Sequence, residues 1–402
     1  MRITYINCVY EQGSTGKIVR AQCDYERSLG NEAYVLYGLG PVSDDPGAFK
    51  VVSEPIRKAQ VARARATGFP YGGCFWGTHV ALRRLATLKP DIVHLHCPNA
   101  CMVNIYKILH YLKQNDIPTV ITNHAEYLYT GGCTHAVDCD GWLKGCGSCK
   151  RLGKEHPISW FFDRTAKEWS LLKEAYSGFR NLTVCCVSDW VTSRARRSPF
   201  FEGYDVVTVL NGLDSDIFRY REDCQSLRDD LALHDARVVL HVTPEFSDPI
   251  KGGRYVARIA QRFPDTIFLI VGNAADRLDA PSNCKFLGPI SDQLMLSRYY
   301  SLADACLITS VRETFSMVTA ESLCCGTPVV GFLAGGPESI AVPEYSRFVE
   351  QDDADALELA LAEILSEDID HLAISDSCRP LYGQRRMCER YHDVYEKALL
   401  DG

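Results

Sequence analysis

The alternation of short apolar runs with longer segments of helical pattern constrains this chain more than any other feature. In the first half the runs fall at residues 2–7, 33–37, 92–95, 119–122 and 183–187. The second half repeats the theme at 206–210, 238–242, 267–271, 284–287, 305–309 and 328–331. Strands separated by helices predict parallel sheets with crossover helices, an α/β architecture. At 402 residues the chain exceeds what one core usually covers, so two doubly wound, Rossmann-like domains are expected. The boundary is read near Leu210-Asn-Gly-Leu-Asp214, giving domains over 1–205 and 206–380 and a terminal helical segment over 381–402. Ligands of open α/β sheets bind beyond the carboxyl ends of the strands, so facing domains place a site in the cleft.

Composition narrows the function classes. Lys and Arg number 43 against 51 Asp and Glu, a formal charge of −8, which argues against nucleic acid as the main partner. No apolar run reaches the roughly 18 residues of a membrane span, and the first residues lack the apolar stretch of a signal peptide. A cytoplasmic protein is expected. Eighteen cysteines are then read as thiols or metal ligands.

After the apolar run Ala303-Asp-Ala-Cys-Leu-Ile-Thr-Ser310 comes Glu313-Thr-Phe-Ser-Met-Val-Thr-Ala-Glu321, which reads as strand, loop and helix. The N–H groups of Thr314, Phe315, Ser316 and Met317 would form a helix N-terminus suited to a diphosphate. Glu313 would sit in the loop and Glu321 two turns into the helix. Cys325-Gly-Thr-Pro-Val-Val330 then stops the helix, and the Gly-rich turn Ala334-Gly-Gly-Pro-Glu338 follows. The stretch from Tyr299 to Glu338 resembles the donor-binding half of retaining glycosyltransferases of family four. That resemblance implies the GT-B fold, two facing Rossmann-like domains with a C-terminal helix crossing back to the first. It implies a nucleoside diphosphate sugar as donor, Glu313 on the sugar hydroxyls and Glu321 on the ribose.

Four cysteines cluster within residues 130–150: Cys133, Cys139, Cys146 and Cys149. The Cys-x2-Cys end has zinc-knuckle spacing and the first pair, Cys133 and Cys139, separated by five residues, is looser, so spacing alone leaves zinc level with disulfides or plain thiols. The segment also resembles a Cys-rich insert of some bacterial family-four enzymes, and that favours a closed structural zinc site with no catalytic role.

In the first half, Glu11-Gln-Gly-Ser-Thr-Gly-Lys17 follows a strand and enters a helix. Its glycines let amides approach a phosphate or sugar, and the P-loop pattern is not matched. The resemblance makes Gly13, Ser14, Thr15 and Gly16 cleft residues beside the donor diphosphate. His124, in Asn123-His-Ala125, ends a buried strand, where the family places a His against the donor sugar. Many relatives carry Asp next, whereas this chain has Ala125, and whether Glu126 does any carboxylate work is left open. His94 and His96 alternate on one strand as structural or acceptor-side groups. In the second half Lys251, in Pro249-Ile-Lys-Gly-Gly253, is expected to reach the donor phosphates as a point charge. The Arg that many relatives carry after the preceding strand is replaced by Thr243-Pro-Glu245, with Arg254 or Arg312 as candidate substitutes.

The implied chemistry is glycosyl transfer with retention, by front-face attack assisted by the departing phosphate and with no catalytic metal. A UDP-sugar is favoured over a GDP-sugar, and the acceptor is a glycan or lipid-linked saccharide of polysaccharide or glycolipid synthesis. The alternatives are a nucleotide-sugar epimerase or phosphorylase on the same fold, or a non-catalytic nucleotide-sugar-binding subunit. Between Arg57 and Lys89 lie Arg57, Lys58, Arg63, Arg65, Arg83, Arg84 and Lys89 with no acid, interleaved with Phe69, Tyr71, Phe75 and Trp76. This stretch is read as either a basic solvated helix pair or a face for peripheral association with the inner, anionic surface of the cell membrane.

Overall fold

The structure is a computed structural model and describes residues 1–154 and 159–400. The chain divides into two compact units, Met1–Val209 together with the chain from Met387 onward, and Leu210–Arg386. The first holds a parallel sheet of β1 (Arg2–Val9), β2 (Glu32–Leu39), β3 (Ala48–Lys50), β4 (Ile92–Cys97), β5 (Thr119–Asn123), β6 (Leu182–Cys186) and β7 (Asp205–Thr208). Their order is β3-β2-β1-β4-β5-β6-β7. The second unit's sheet contains β8 (Arg237–Glu245), β9 (Thr266–Asn273), β10 (Cys284–Gly288), β11 (Ala305–Ile308), β12 (Val329–Phe332) and β13 (Ser346–Val349). These are ordered β10-β9-β8-β11-β12-β13.

The central strands are apolar on both faces because helices cover both sides of each sheet. Every residue of β4, β5, β11 and β12 is buried. The run expected at 206–210 to open the second domain is instead the edge strand β7 of the first sheet, paired with β6. The short edge strands β3 and β13 were not expected. The helix Gln384–Leu400 covers most of the 381–402 expectation, whose last two residues lie outside the described ones. Its stripe Met387, Cys388, Tyr391 and Tyr395 joins the core of the first unit with Ile3, Tyr5 and Val19. That 3–4 residue spacing is what an amphipathic helix needs to seal a sheet.

Strand order reverses between β1 and β4 in one sheet and between β8 and β11 in the other. Such switch points open a crevice beyond the strand ends. The segments that follow β1, β8 and β11 carry Gly13 to Gly16, Lys251 and Glu313, so each unit offers its chemistry at its own switch point.

Candidate active site

In the second unit the backbone brings Lys251 to Glu313. Gly252 adopts φ +72°, and a Cβ there would lie 2.1 Å from the Thr309 carbonyl oxygen, so only glycine lets the turn after β8 approach β11 this closely. Thr309 Oγ1 donates to the Lys251 carbonyl at 2.9 Å, and Val311 N–H to that of Ile250 at 2.8 Å. Lys251 Nζ then reaches Glu313 Oε1 at 2.6 Å, each side chain 22% exposed. The Glu313 N–H donates to Ala334 O at 3.1 Å, and Gly336 N–H to Glu313 O at 2.9 Å. The Glu338 carboxylate accepts from the N–H groups of Ala334 (3.0 Å) and Gly335 (2.6 Å). Gln351 Nε2 donates to the carbonyls of Ser310 (3.1 Å) and Leu333 (3.0 Å). The Gly-rich turn and the Glu313 loop are therefore one stitched unit. Gln351 is a bracing residue that the sequence did not single out.

Thr314, Phe315 and Ser316 are buried and precede the helix, which runs Met317–Cys324. This corrects the expectation that amides from Thr314 on form the helix N-terminus. Ser316 is the cap, with φ 76° and its Oγ accepting from Thr319 N–H at 3.2 Å. A non-glycine residue held in the left-handed region stores strain that surrounding structure must impose. Glu321, 8% exposed, accepts from Tyr300 OH at 2.9 Å, which fixes its carboxylate. Arg254 points elsewhere, stacking on Tyr255 and lying 3.6 Å from Asp352, while Arg312 is half-buried next to Glu313. Glu245 is consumed by its own turn, accepting from the N–H groups of Ser247 and Ala275.

In the first unit the helix Gly13–Ser28 starts at Gly13, so Gly13, Ser14, Thr15 and Gly16 are its first turn rather than a preceding loop. Gly16 is buried, and a Cβ there would sit 3.2 Å from Glu11 N and Val9 Cγ2. Asn7, at the end of β1, donates to Thr15 Oγ1 at 3.3 Å and accepts from Cys97 N–H at 3.1 Å. It ties the helix start to the end of β4.

His124, half-buried just past β5, meets His96 Nδ1 through its Nε2 at 2.9 Å, and His96 Nε2 meets Gln22 Oε1 at 3.3 Å. With the Gln22 oxygen as acceptor, His96 carries its proton on Nε2 and His124 does too, which leaves the His124 lone pair on Nδ1. Burial lowers the His124 pKa to about 4 and holds His94 and His96 well below the ordinary range, so the cluster is neutral at pH 7. His94 and His96 are fully buried, and His94 bonds Thr122 Oγ1 at 2.8 Å and Tyr395 OH at 2.6 Å. Both are structural. Glu126 is fully buried and already committed, taking Arg194 Nε at 2.6 Å, Tyr129 OH at 2.9 Å and Ala136 N–H at 2.7 Å. It anchors the cysteine-rich loop through Ala136.

The four cysteines read as a zinc site lie in one part of the structure. Cys133, Cys139, Cys146 and Cys149 line one cavity of about 410 Å³, and among the described residues no three His, Cys, Asp or Glu side chains are placed to hold a metal ion. Positive φ at Gly145, Cys146, Gly147 and Ser148 turns the chain sharply, and Asp163 holds Cys149 N–H at 2.6 Å. Burial pushes the Cys146 thiol up to about 11 and raises that of Cys149.

Part of the 57–89 stretch is internal, while Lys58, Arg83, Arg84 and Lys89 are exposed. Tyr71 is buried, Arg63 donates to the Phe69 and Gly72 carbonyls, and Arg84 stacks on Phe49 at 4.2 Å. Phe75 and Trp76 remain 68% and 62% exposed. No helix among the described residues is long and apolar enough to cross a membrane.

Comparison with known proteins places this geometry. Residues 19–217 match the model described as Glycosyltransferase Family 4, and residues 250–367 the model described as Glycosyl transferases group 1. A phosphatidyl-myo-inositol mannosyltransferase of Mycolicibacterium smegmatis is 31% identical over 177 residues, 41% of this chain and 44% of that protein. The chain spans about half the length of the curated relatives it matches. Among solved structures, sucrose-phosphate synthase from Thermosynechococcus elongatus superposes with a TM-score of 0.71 at 16% identity, over 100% of both chains. Anabaena HepE in complex with UDP and glucose gives 0.66 at 16% identity, over 99% of this chain and 100% of that one. At such identities the likeness shows the fold, GT-B. With two family models matching more than three quarters of its length between them, the chain belongs to the glycosyltransferases of family four.

Proposed function

We infer that this protein transfers a glycosyl group from a nucleoside diphosphate sugar, UDP-linked in preference to GDP-linked, to a hydroxyl of a saccharide or lipid-linked saccharide, with retention at the anomeric carbon. The observation that carries this reading is the Lys251–Glu313 pair beside the Ser316-capped helix at the switch point of the second sheet. A leaving diphosphate gains negative charge as the glycosidic bond breaks, and preorganised cations and amides at that place supply the largest catalytic effect. Lys251 Nζ is assigned to those oxygens, together with the N–H groups at the start of the helix Met317–Cys324. Glu313, once Lys251 turns to phosphate, accepts from the sugar hydroxyls. Glu321, oriented by Tyr300, accepts from the ribose.

In the first unit, His124 is assigned to the donor sugar. The tautomer imposed through His96 and Gln22 equips its Nδ1 to accept from a sugar hydroxyl, and a neutral ring avoids repelling an oxocarbenium-like centre. Gly13, Thr15 and Gly16 are assigned to the diphosphate side through the first-turn amides.

The test is a panel of UDP-, GDP- and ADP-sugars scored for thermal stabilisation and for slow hydrolysis without acceptor. One donor is expected to raise the melting temperature and to be hydrolysed by the wild type but not by Glu313→Ala. Equal hydrolysis by both proteins sinks the assignment of Glu313.

A further inference from the structure

Trp160, Phe161 and Phe162 are 54%, 71% and 52% exposed, three consecutive large aromatics in water. They are held in place by the scaffold. Trp160 N–H donates to the Arg65 carbonyl at 2.8 Å, at the end of the helix Glu54–Thr67, and Ser159 Oγ donates to Phe162 O at 2.7 Å. Gly68, at φ +63°, receives the turn, since a Cβ there would lie 2.1 Å from Phe162 O. A backbone seated this closely presents its side chains outward by construction.

Cations surround the turn. Arg164 lies 5.7 Å from the Phe162 ring centre, Lys167 5.4 Å from that of Phe69, and Lys107 5.3 Å from that of Phe75. Phe69 stacks on Tyr106 at 5.9 Å, and Lys107, the neighbour of Tyr106, is the one over Phe75. Lys58 is exposed on the same basic helix. Among the described residues the adjoining carboxylates are each engaged, Asp163 and Glu54 at the surface and Glu168 in the interior. Asp163 holds Cys149 N–H and Thr165, Glu168 is buried against Tyr106, and Glu54 is paired with Arg57. On a chain of net charge −8, this surface joins exposed Lys58, Lys107 and Lys167 to an exposed aromatic ridge.

We propose that this face docks the protein on an anionic lipid bilayer, with Trp160, Phe161 and Phe162 seated at headgroup depth and Lys58, Arg164, Lys167 and Lys107 against lipid phosphates. Trp and Phe gain from burial at the headgroup boundary, and each cation adds attraction to an anionic leaflet. The proposal is independent of the transferase assignment, because it is tested without donor or acceptor.

The experiment is co-sedimentation of the full chain with vesicles of phosphatidylcholine alone or mixed with phosphatidylglycerol. Binding is expected only to the mixed vesicles and to weaken with added salt. The triple variant Trp160→Ser/Phe161→Ser/Phe162→Ser should partition at least about tenfold less with an unchanged melting temperature, since the three rings are exposed. Lys58→Glu/Lys167→Glu should lose the preference for phosphatidylglycerol. Brominated lipids should quench tryptophan fluorescence of the wild type and much less of Trp160→Phe. Equal vesicle binding by wild type and triple variant overturns the proposal, as does no binding at all. A wild-type dimer that the triple variant dissociates would also overturn it, by making the ridge a contact between copies.

Discussion

Lys251 Nζ sits 2.6 Å from Glu313 Oε1, joining two residues 62 apart in sequence across the switch point of the second sheet. Both are 22% exposed, so solvent screens the pair and its net contribution to stability is at most about 1 kcal/mol. Glu313→Ala should therefore lower the melting temperature by no more than about 4 °C. Loss of a group that acts on the reacting sugar should cut donor turnover by about 100-fold or more. Melting curves and hydrolysis rates on one preparation separate the two effects. A large fall in melting temperature with turnover per folded molecule preserved would make the pair a structural clamp.

The Glu126–Arg194 pair behaves differently because Glu126 is fully buried and the Arg194 side chain is 12% exposed. Removing one partner strands a buried charge, so Arg194→Ala should cost about 3–5 kcal/mol. Arg194 also lies about 5.0 Å from the Trp142 ring centre, and Glu126 holds Ala136 N–H. The cysteine-rich loop should accordingly loosen before the rest of the unit. Limited proteolysis that cuts first within residues 130–150 would show this, whereas cleavage spread evenly over the unit would not support it.

What the sequence made legible follows from burial. β9 and β11 read clearly because both faces are covered and the run is continuously apolar. β3 and β13 did not read because edge strands with half-exposed residues interrupt that run. Lys251, Glu313 and Ser316 stand in loops whose position follows from the strand before them, so order along the chain sufficed to place them. The histidine cluster was only half visible. His96 and His124 announce themselves at strand ends, but Gln22 lies inside a helix and Tyr395 301 residues from His94, and nothing local joins them. Cys133 to Cys149 are close in sequence, but nearness in sequence does not fix where left-handed turns aim four sulfurs. Trp160 to Phe162 resemble core residues until the backbone shows them outside.

Glu168 sets an expectation for pH. It is 1% exposed against Tyr106, and burial raises its pKa to about 8. Its folded value lies above the unfolded value near 4.3, so its contribution to stability is fully present below about pH 4 and is lost as pH rises towards 8. Glu168→Gln should flatten the stability profile between those limits by a few kcal/mol, on the order expected for such a shift. His94, His96 and His124 are displaced the other way, so their contribution is present above pH 6.5 and is lost as pH falls, for His124 towards about 4. Urea unfolding at a series of pH values measures both limbs. An alkaline limb identical in Glu168→Gln and wild type would place its origin elsewhere.

Gly336 tests whether the Gly-rich turn serves the Glu313 loop. A Cβ at this position would lie 2.5 Å from both Phe315 N and Thr314 C. Those atoms are backbone and cannot rotate away, so Gly336→Ala must push the loop aside at a cost of about 1–3 kcal/mol. The displacement falls on Thr314 and Phe315, immediately before the Ser316 cap. Gly383 in the same unit is the control, because its added Cβ would meet nothing closer than 3.4 Å. Gly336→Ala should stay folded at low temperature yet lose the donor-induced rise in melting temperature, while Gly383→Ala should keep it. If Gly336→Ala retains full donor stabilisation, the segment from Glu313 to Met317 does not hold the diphosphate.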